Sequence, residues 1–150
     1  MSSTTIKHPT LDYILTDNRE DIDIKAVHAF LTESYWAQGI PLETVRKSIE
    51  GSLCFSVLAG DGEQVGFARV ISDYATFAYI GDVYVIDGHR GSGLAKWMME
   101  AIDTHAELQN LRRWTLATRD MHGLYRPFGF ETPTQPEKIM EKRHPAPYPR

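Results

Sequence analysis

The stretch "GDVYVIDGHRGSGLAKWMMEAI", residues 81–102, decides the fold because it passes directly from a strand pattern into a helix pattern. Gly88, Gly91 and Gly93 mark the turn between the two. The first amides of a helix have no partner within the helix and attract anions, and glycine lets a phosphate approach the backbone closely. A tight turn without a ligand needs the same glycines, so this pattern alone does not separate a phosphate site from a purely structural turn.

Segments on both sides of this turn predict an α+β fold. Before the turn we predict a short strand at 10–17, helices at 21–36 and 41–51, a hairpin at 53–73 and a long strand at 77–87. After the turn we predict a helix that carries one apolar face, formed by Leu94, Trp97, Met98, Ala101, Ile102 and Leu108. A strand at 112–120, a helical piece at 121–130 that ends in the start of a strand, and a last strand at 137–143 follow it. The helix after the turn makes its flanking strands parallel neighbours, while the other strands form an antiparallel meander.

The ends of the first two helices have their own signals. Asp21 or Asp17 is available to cap the first helix. Pro41 lies near the first turn of the second helix, and Gly51 follows its end. These signals separate the two helices from each other and from the hairpin that follows.

Size and composition restrict the class of protein. With 150 residues and a net charge of -4, the chain has the size of a single domain and lacks the basic excess of a general nucleic-acid or membrane-surface binder. We expect a core at about residues 10–143 and flexible ends at 1–9 and 144–150. Cys54 is the single cysteine and is predicted to be a core thiol. Because no apolar run could span a bilayer and no signal-peptide pattern is present, we expect a cytoplasmic protein. The net charge predicts that it binds neither membrane nor nucleic acid.

Two phosphate-binding motifs fit the glycine turn poorly. Gly88 and Gly93 have the spacing of a P-loop, but Leu94 follows where that motif requires lysine. As a Rossmann dinucleotide site, "GSGLAK" would put Lys96 where close packing of helix on strand requires a small residue. Asp120 would then be the ribose-binding acid, although it lies further along than usual. The P-loop is excluded, whereas a Rossmann-like dinucleotide binder stays open as an alternative.

Three motifs in order resemble another class of site. Arg90–Ala95, "RGSGLA", is similar to the pyrophosphate-binding motif of the GNAT superfamily of acyl-CoA-dependent N-acyltransferases. Val83–Val85, "VYV", lies where that family has the strand bordering the pantetheine arm, and Leu124–Phe130, "LYRPFGF", resembles its Leu-Tyr-x-x-x-Gly-Phe segment. Pro127 departs from the family pattern, because proline removes a helical hydrogen bond. The resemblance implies a GNAT-type mixed sheet of about six to seven strands with about four helices on its two faces.

The resemblance also implies an N-acetyltransferase that moves the acetyl group of acetyl-CoA directly to a primary amine in a ternary complex. The implied cofactor-binding residues are Val83, Tyr84, Val85, Arg90, Gly91, Ser92, Gly93, Leu94, Ala95 and Lys96. A non-catalytic acyl-CoA-binding sensor or interaction module is the alternative from a different class. The acceptor would be a small-molecule or peptide amine, and the histidine spacing predicts no metal site. An exposed strand edge near the C-terminus is compatible with a homodimer.

Direct transfer requires an acid for the leaving thiolate and a base for the amine. Tyr125 occupies the family's tyrosine position, so the resemblance assigns it the acid role, and a phenol with a pKa of about 10 is protonated at neutral pH. A lysine-like amine has a pKa of about 10.4 and must lose a proton before it attacks. Asp82 is the first candidate for the base, and His122 is the second. Strict alternation would point Asp82 away from Val83 and Val85, and a bulge would change that direction.

Two aromatic-rich segments are candidates for binding the acceptor amine. "ESYWAQGIP" lies between the first two predicted helices and "SDYATFAY" lies between two strands, and both border the acceptor side in the resembled fold. Carboxylates pair with a cationic amine, and aromatic faces attract it. The candidate residues are Glu33, Tyr35, Trp36, Asp73 and Tyr74. Core packing of the aromatic residues and solvent exposure of Glu33 are the structural alternatives.

Overall fold

The computed structural model describes residues 3–148 and contains one six-stranded sheet with four α-helices. The strands are β1 (Thr5–Lys7), β2 (Tyr13–Thr16), β3 (Leu53–Ala59), β4 (Gln64–Ser72), β5 (Phe77–Val85) and β6 (Arg113–Leu116). The helices are α1 (Ile24–Leu31), α2 (Leu42–Glu50), α3 (Leu94–Asp103) and α4 (His122–Tyr125). The strands lie in chain order; β1 to β5 are antiparallel neighbours, and β5 pairs with β6 in parallel. The predicted α+β class, with one crossover helix between parallel strands, is confirmed.

The helices cover the two faces of the sheet because alternate residues of each strand point to opposite sides. On one face, Val27 of α1 and Val45 of α2 pack with Phe67 of β4 in one apolar cluster. On the other face, Met98 of α3 packs with Phe55 of β3. We call these the α1–α2 face and the α3 face. Helix α4 packs beside α3.

The predicted cap of the first helix is wrong. Helix α1 begins at Ile24, and its cap is Asp23, whose side chain accepts a hydrogen bond from the N–H of Ala26 at 3.1 Å. Asp21 instead accepts from the hydroxyl of Thr16 at 2.8 Å. The other candidate, Asp17, pairs with His105, which lies just after α3. The signals of the second helix are correct, because it begins directly after the predicted proline and ends before the predicted glycine.

The chain after α4 differs from the prediction. Residues 137–143 do not form a strand: Pro136–Lys138 is a short 3-10 turn, and Met140 is 94% exposed. No strand begins at Phe130. A strand needs a pairing edge and a buried side, and this segment has neither in the structure. Leu108 lies beyond the end of α3, in the 3-10 turn Ala106–Leu108, although it is buried in the same core as predicted.

The N-terminal strand β1 was not predicted and lies within the segment expected to be flexible. It pairs with β2, and the resulting hairpin is attached to the C-terminal end of α3 by a hydrogen bond of 2.7 Å between His105 Nε2 and Asp17 Oδ2. Asp17 also accepts from the N–H of Thr4 at 2.5 Å. Residues 1–2 and 149–150, which belong to the segments expected to be flexible, lie outside the described residues.

Candidate active site

The two parallel strands separate part of the way along β5. Their pairing runs from Phe77 opposite Arg113 to Ile80 opposite Leu116 and continues no further. Beyond Ile80, the edge of β5 that faces β6 is therefore not paired with that strand. Backbone groups along this open edge are free to bind an extended ligand that contains amides.

A β-bulge lies at the point where the strands separate. Phe67 of β4 pairs with Tyr84 and Arg69 pairs with Gly81, so Asp82 and the next residue together face one residue of β4. Asp82 has a φ of 54°, in the left-handed region that residues other than glycine seldom adopt. Ile80 belongs to the α3-face core, so strict alternation would direct Asp82 toward α3.

The bulge shifts the alternation by one residue. After it, Val83 and Val85 pack in the α3-face core, and Tyr84 packs in the α1–α2-face core. Tyr84 stacks on Phe30 with ring centroids 3.8 Å apart, and burial raises the pKa of its phenol far above the usual value. Of the three predicted strand residues, Tyr84 therefore has its side chain on the opposite face, and only its backbone borders the open edge.

The Asp82 carboxylate is held between two donors. Its Oδ2 accepts from Arg69 Nε at 2.8 Å, and its Oδ1 accepts from Trp36 Nε1 at 2.9 Å. Both members of the ion pair are mostly buried, with side-chain exposures of 11% for Asp82 and 17% for Arg69. A second nitrogen of Arg69 donates to Ser52 Oγ at 3.1 Å. This network fixes the carboxylate on the α1–α2 face, at the separation of β5 and β6.

The glycine loop between β5 and α3 forms the other wall of the site. Gly88, Gly91 and Gly93 have φ values of 89°, 83° and 78°, which favour glycine because side chains crowd the backbone in that region. Gly93 directly precedes Leu94, the first residue of α3. Within residues 3–148, no protein group accepts from the backbone N–H groups of residues 91–96. The loop therefore presents a run of unpaired amides at a helix N-terminus, where an anion is stabilised.

Arg90 holds this loop against the end of β5. Its Nε donates to the backbone oxygen of Val85 at 2.7 Å, and its guanidinium pairs with Asp87 at 2.7 Å. Arg90 is one of the predicted cofactor-binding residues. In the structure its nearest partners are groups of the protein, so its observed contribution is to the shape of the loop.

Tyr125 lies at the end of α4 and lines a cavity of about 770 Å³ that runs along β6. Its side chain is buried, and Phe130 packs edge-on against the ring at 6.0 Å. Burial, and then the nearby Tyr35, raise the pKa of the Tyr125 hydroxyl to about 12. Pro127 lies in the 3-10 turn Arg126–Phe128, after the helix has ended, so the departure from the family pattern does not interrupt α4.

His122 lines the same cavity from the first residue of α4. Its side chain is exposed, unlike that of Tyr125. The structure thus brings His122 and Tyr125 to one cavity, while Asp82 lies on the neighbouring strand and is bound to Arg69.

The connection between α1 and α2 reaches both strands of the site. Trp36 contacts Asp82 on β5, and Tyr35 contacts the loop after β6. The guanidinium carbon of Arg119 lies 4.0 Å from the centre of the Tyr35 ring, so a cation of the protein already covers that aromatic face. Glu33 is exposed on the same connection. Of these predicted acceptor residues, Trp36 therefore contacts Asp82 and Tyr35 lies near Tyr125.

Asp73 and Tyr74 do not belong to this group. They lie in the turn before β5, and Asp82 is five residues beyond the start of that strand, about 16 Å away at the usual rise. The Asp73 carboxylate accepts hydrogen bonds from its own turn, first of all from Thr76, and these hold the pKa of that carboxyl well below its usual range. The Asp73 carboxylate thus stabilises the turn itself, and the Tyr74 side chain is exposed.

The sequence analysis missed Arg69 and Arg119. Arg69 had a usable signal, because a single arginine within the apolar run "VGFARVIS" needs a buried partner. Arg119 had none, since its contact with Tyr35 joins residues that are remote in the chain. Cys54 is buried as predicted, and burial raises the pKa of its thiol to about 12, which leaves it unreactive at neutral pH.

Within residues 3–148, no group of three or more His, Cys, Asp or Glu side chains is arranged to hold a metal ion. None of the helices in the same range has both the length and the apolar character needed to cross a membrane.

Known proteins resemble this chain in sequence and in fold. The sequence pattern of the acetyltransferase (GNAT) family matches residues 16–130. A candidate acetyltransferase of the GNAT family from Xanthomonas campestris pv. campestris is 47% identical, with a TM-score of 0.88 over 91% of this chain and 96% of that one. A candidate acetyltransferase of Gibberella zeae is 29% identical over 134 residues, covering 76% of each chain. A candidate acetyltransferase of Clostridium acetobutylicum, solved with acetyl-CoA, shares the fold at 14% identity, with a TM-score of 0.63 over 87% of this chain and 94% of that one.

Proposed function

The chain belongs to the GNAT family of acetyltransferases, and on that premise we propose that it transfers the acetyl group of acetyl-CoA directly to a primary amine. The observation that carries the proposal is the run of unpaired amides at residues 91–96, next to the open edge of β5. A diphosphate bound by these amides would leave the rest of an extended molecule to follow the open edge toward Tyr125.

The residues of the loop fit the phosphates of acetyl-CoA. A Cβ added at Gly91 or Gly93 would meet no protein atom within 4 Å, so the space over these residues is open to a ligand. The backbone of Val83, at the open edge, supplies groups for the amides of the pantetheine arm. Leu94 is buried in the core, so we expect it to contribute through its N–H group and not through its side chain.

Acetyl-CoA supplies an activated thioester, and the chain supplies proton transfer and positioning. We propose that Tyr125 donates its proton to the departing sulfur, because a phenol with a pKa of about 12 is protonated at every physiological pH. Asp82 remains the first candidate to accept a proton from the amine, directly or through water. Its two oxygens have unused lone pairs, and the bulge directs it toward the connection that carries Trp36. His122 remains the second candidate.

Two variants, Asp82→Asn and Arg69→Met, distinguish a catalytic role of Asp82 from a role in stabilising the fold. Asp82→Asn and Arg69→Met both break the buried ion pair, and we expect each to lower the free energy of unfolding by about 2 kcal/mol. Only Asp82→Asn removes the proton acceptor, so we expect its kcat to fall at least about 30-fold further than that of Arg69→Met. Urea unfolding and steady-state kinetics measure both quantities. Equal kcat values in the two variants would remove Asp82 from the mechanism and favour His122.

We propose that the acceptor binds between the α1–α2 connection and the cavity beside Tyr125. Trp36 and Glu33 are the expected contacts, whereas the face of Tyr35 is covered by Arg119. Asp73 and Tyr74 are left out, because they lie at the start of β5. A small-molecule amine and a peptide amine both fit this proposal.

A homodimer is a separate proposal. Strand β6 is the last strand of the sheet, and its outer edge borders the cavity that residues 128–139 line from the other side, so a second copy would pair at this edge by displacing that segment. Light scattering at several protein concentrations measures the mass directly.

The proposed function is tested first by ligand binding. We expect acetyl-CoA and CoA to raise the melting temperature, and nicotinamide dinucleotides to leave it unchanged, because only a ligand of the native state stabilises it. Release of the CoA thiol is then followed with a panel of amines. Stabilisation by a dinucleotide alone would support the Rossmann-like alternative. Tight CoA binding without transfer to any amine would support a sensor.

A further inference from the structure

We propose that His89, oriented by Tyr13, donates a hydrogen bond to a phosphate of bound CoA, so that CoA binds more tightly when His89 is protonated. The inference rests on the proposed function, since it assumes that CoA is the ligand of the glycine loop. It names a binding residue outside the motif that the sequence analysis identified.

The first observation is a hydrogen bond between the N-terminal hairpin and the loop. The Tyr13 hydroxyl lies 2.8 Å from His89 Nδ1, and the two rings meet edge-on at 5.7 Å. The backbone N–H of His89 donates to Ile86 at 3.2 Å, which fixes the start of the loop. His89 therefore lies in the loop itself, two residues before the first of the unpaired amides, and its ring orientation is set from outside the loop.

The position of the proton follows from this contact. When the Tyr13 hydroxyl donates to Nδ1, the neutral ring carries its hydrogen on Nε2. The protonated ring keeps that hydrogen and adds a positive charge. Within residues 3–148, His89 Nε2 has no hydrogen-bond partner. The ring thus offers a donor in both states, and its bond to a phosphate is stronger when the ring is charged.

Arg90 is only partly occupied by protein groups. Its Nε donates to Val85 and its Nη1 pairs with Asp87, whereas its Nη2 has no protein partner among the described residues. In the loop and the first turn of α3, the side chains of His89, Arg90 and Lys96 therefore each keep a nitrogen donor without a protein partner among the described residues. Lys96 is exposed on a long flexible side chain, whereas the ring of His89 is held by Tyr13.

Tyr13 is itself fixed in place. It pairs with Ala59 in the sheet, and its ring lies beside that of His8 at 6.4 Å. His8 packs edge-on against Trp97 of α3 at 4.8 Å, and its Nδ1 accepts from two backbone amides of the hairpin turn. The hairpin thus contacts both the loop and the first turns of α3, so that the phenol of Tyr13 is a rigid support for the imidazole of His89.

Other groups around His89 also carry charge or titrate. They are His8 on the hairpin, Asp87 and Arg90 in the loop, and Lys96 in the first turn of α3. Asp87 and Arg90 neutralise each other. His8 uses its Nδ1 as an acceptor for the hairpin turn, so protonation there would compete with those two bonds. Variants at His89 are therefore needed to assign a pH dependence to this residue.

The test measures the dissociation constant of CoA by calorimetry between about pH 5.5 and pH 8.5. In the wild type we expect the constant to fall about tenfold from the high to the low end of this range, and in His89→Gln we expect it to stay nearly constant. Tyr13→Phe should raise the constant about threefold and keep the pH dependence. His144→Gln, which changes an exposed histidine far along the chain, is the matched control and should behave as the wild type.

Two further ligands identify the phosphate and separate this inference from the proposed function. Dephospho-CoA, which lacks the 3′-phosphate, keeps the pH dependence if His89 contacts the diphosphate and loses it otherwise. Acetyl-pantetheine has neither group, and we expect His89→Gln to leave its KM unchanged. If His89→Gln binds CoA like the wild type at every pH, the inference is wrong and the proposed function is unaffected. If the wild type binds no CoA, the proposed function itself is wrong.

Discussion

Gly93→Val is expected to raise the dissociation constant of acetyl-CoA at least about 100-fold. Gly93 has a φ of 78° directly before α3, and a β-branched residue in this region is strongly disfavoured. Relief of that strain would rotate the amides of the loop away from their common direction. The isopropyl group would also occupy the open space that we assign to the diphosphate. Each tenfold loss corresponds to about 1.4 kcal/mol, so two such effects together account for the expected change.

Gly62→Val is the matched control for this prediction. Gly62 has a φ of 90° and, like Gly93, has no protein atom within 4 Å of an added Cβ. It lies in the turn between β3 and β4, away from the glycine loop. Both variants should therefore lose stability to a similar degree, which thermal unfolding measures. If both bind acetyl-CoA like the wild type by calorimetry, the loop does not hold the diphosphate.

Tyr125→Phe is expected to lower kcat about 100-fold and to leave acetyl-CoA binding unchanged. The exchange removes only the hydroxyl, which has no hydrogen-bond partner among residues 3–148, so the core packing with Phe130 is kept. Loss of a general acid costs about two to four orders of magnitude in rate, and the lower value applies because a thiolate is a fairly good leaving group. Steady-state kinetics and calorimetry on the same protein give the two quantities.

The pH profile gives an independent check on Tyr125. Burial raises the pKa of its hydroxyl from the usual value to about 12, so the proton that it donates stays in place as the pH rises to about 10. Any decrease of kcat below that pH must then come from another group. Tyr74→Phe, at the far end of β5, is the control and should have wild-type kcat. An unchanged kcat in Tyr125→Phe would contradict the acid role.

The glycine loop and the helix that follows it were correctly predicted because their signals are local. Each glycine of the loop with a positive φ occupies a backbone conformation that favours glycine, and the spacing of the apolar residues of α3 matches the face that is buried. The hairpin of β3 and β4 was found for the same reason, since its turn and both apolar runs are contiguous in the chain.

The last strand and the acceptor turn were predicted from equally local patterns, and there the structure differs. Residues 137–143 contain two adjacent apolar side chains, Ile139 and Met140, and pair with no strand of the sheet. Asp73 looked like a ligand for an amine, yet its own turn provides all its observed donors. Whether a pattern is used for pairing, capping or binding depends on neighbours that the chain brings together only on folding.

The sequence by itself determined the order of the elements from β2 to α4, the glycine loop, the tyrosine of α4 and, through them, the family. Asp82 points away from Val83 and Val85, as strict alternation predicts. Only the tertiary structure decided that this direction is the α1–α2 face, because the bulge depends on how β5 pairs with β4 and not on the residues of β5 alone. It also decided which cations are already occupied: Arg69 by Asp82, Arg90 by Val85 and Asp87, and Arg119 by Tyr35. Backbone conformation depends largely on residues that are neighbours in the chain. Pairs of charges and rings join residues that are far apart in the chain, so only the folded molecule defines these pairs.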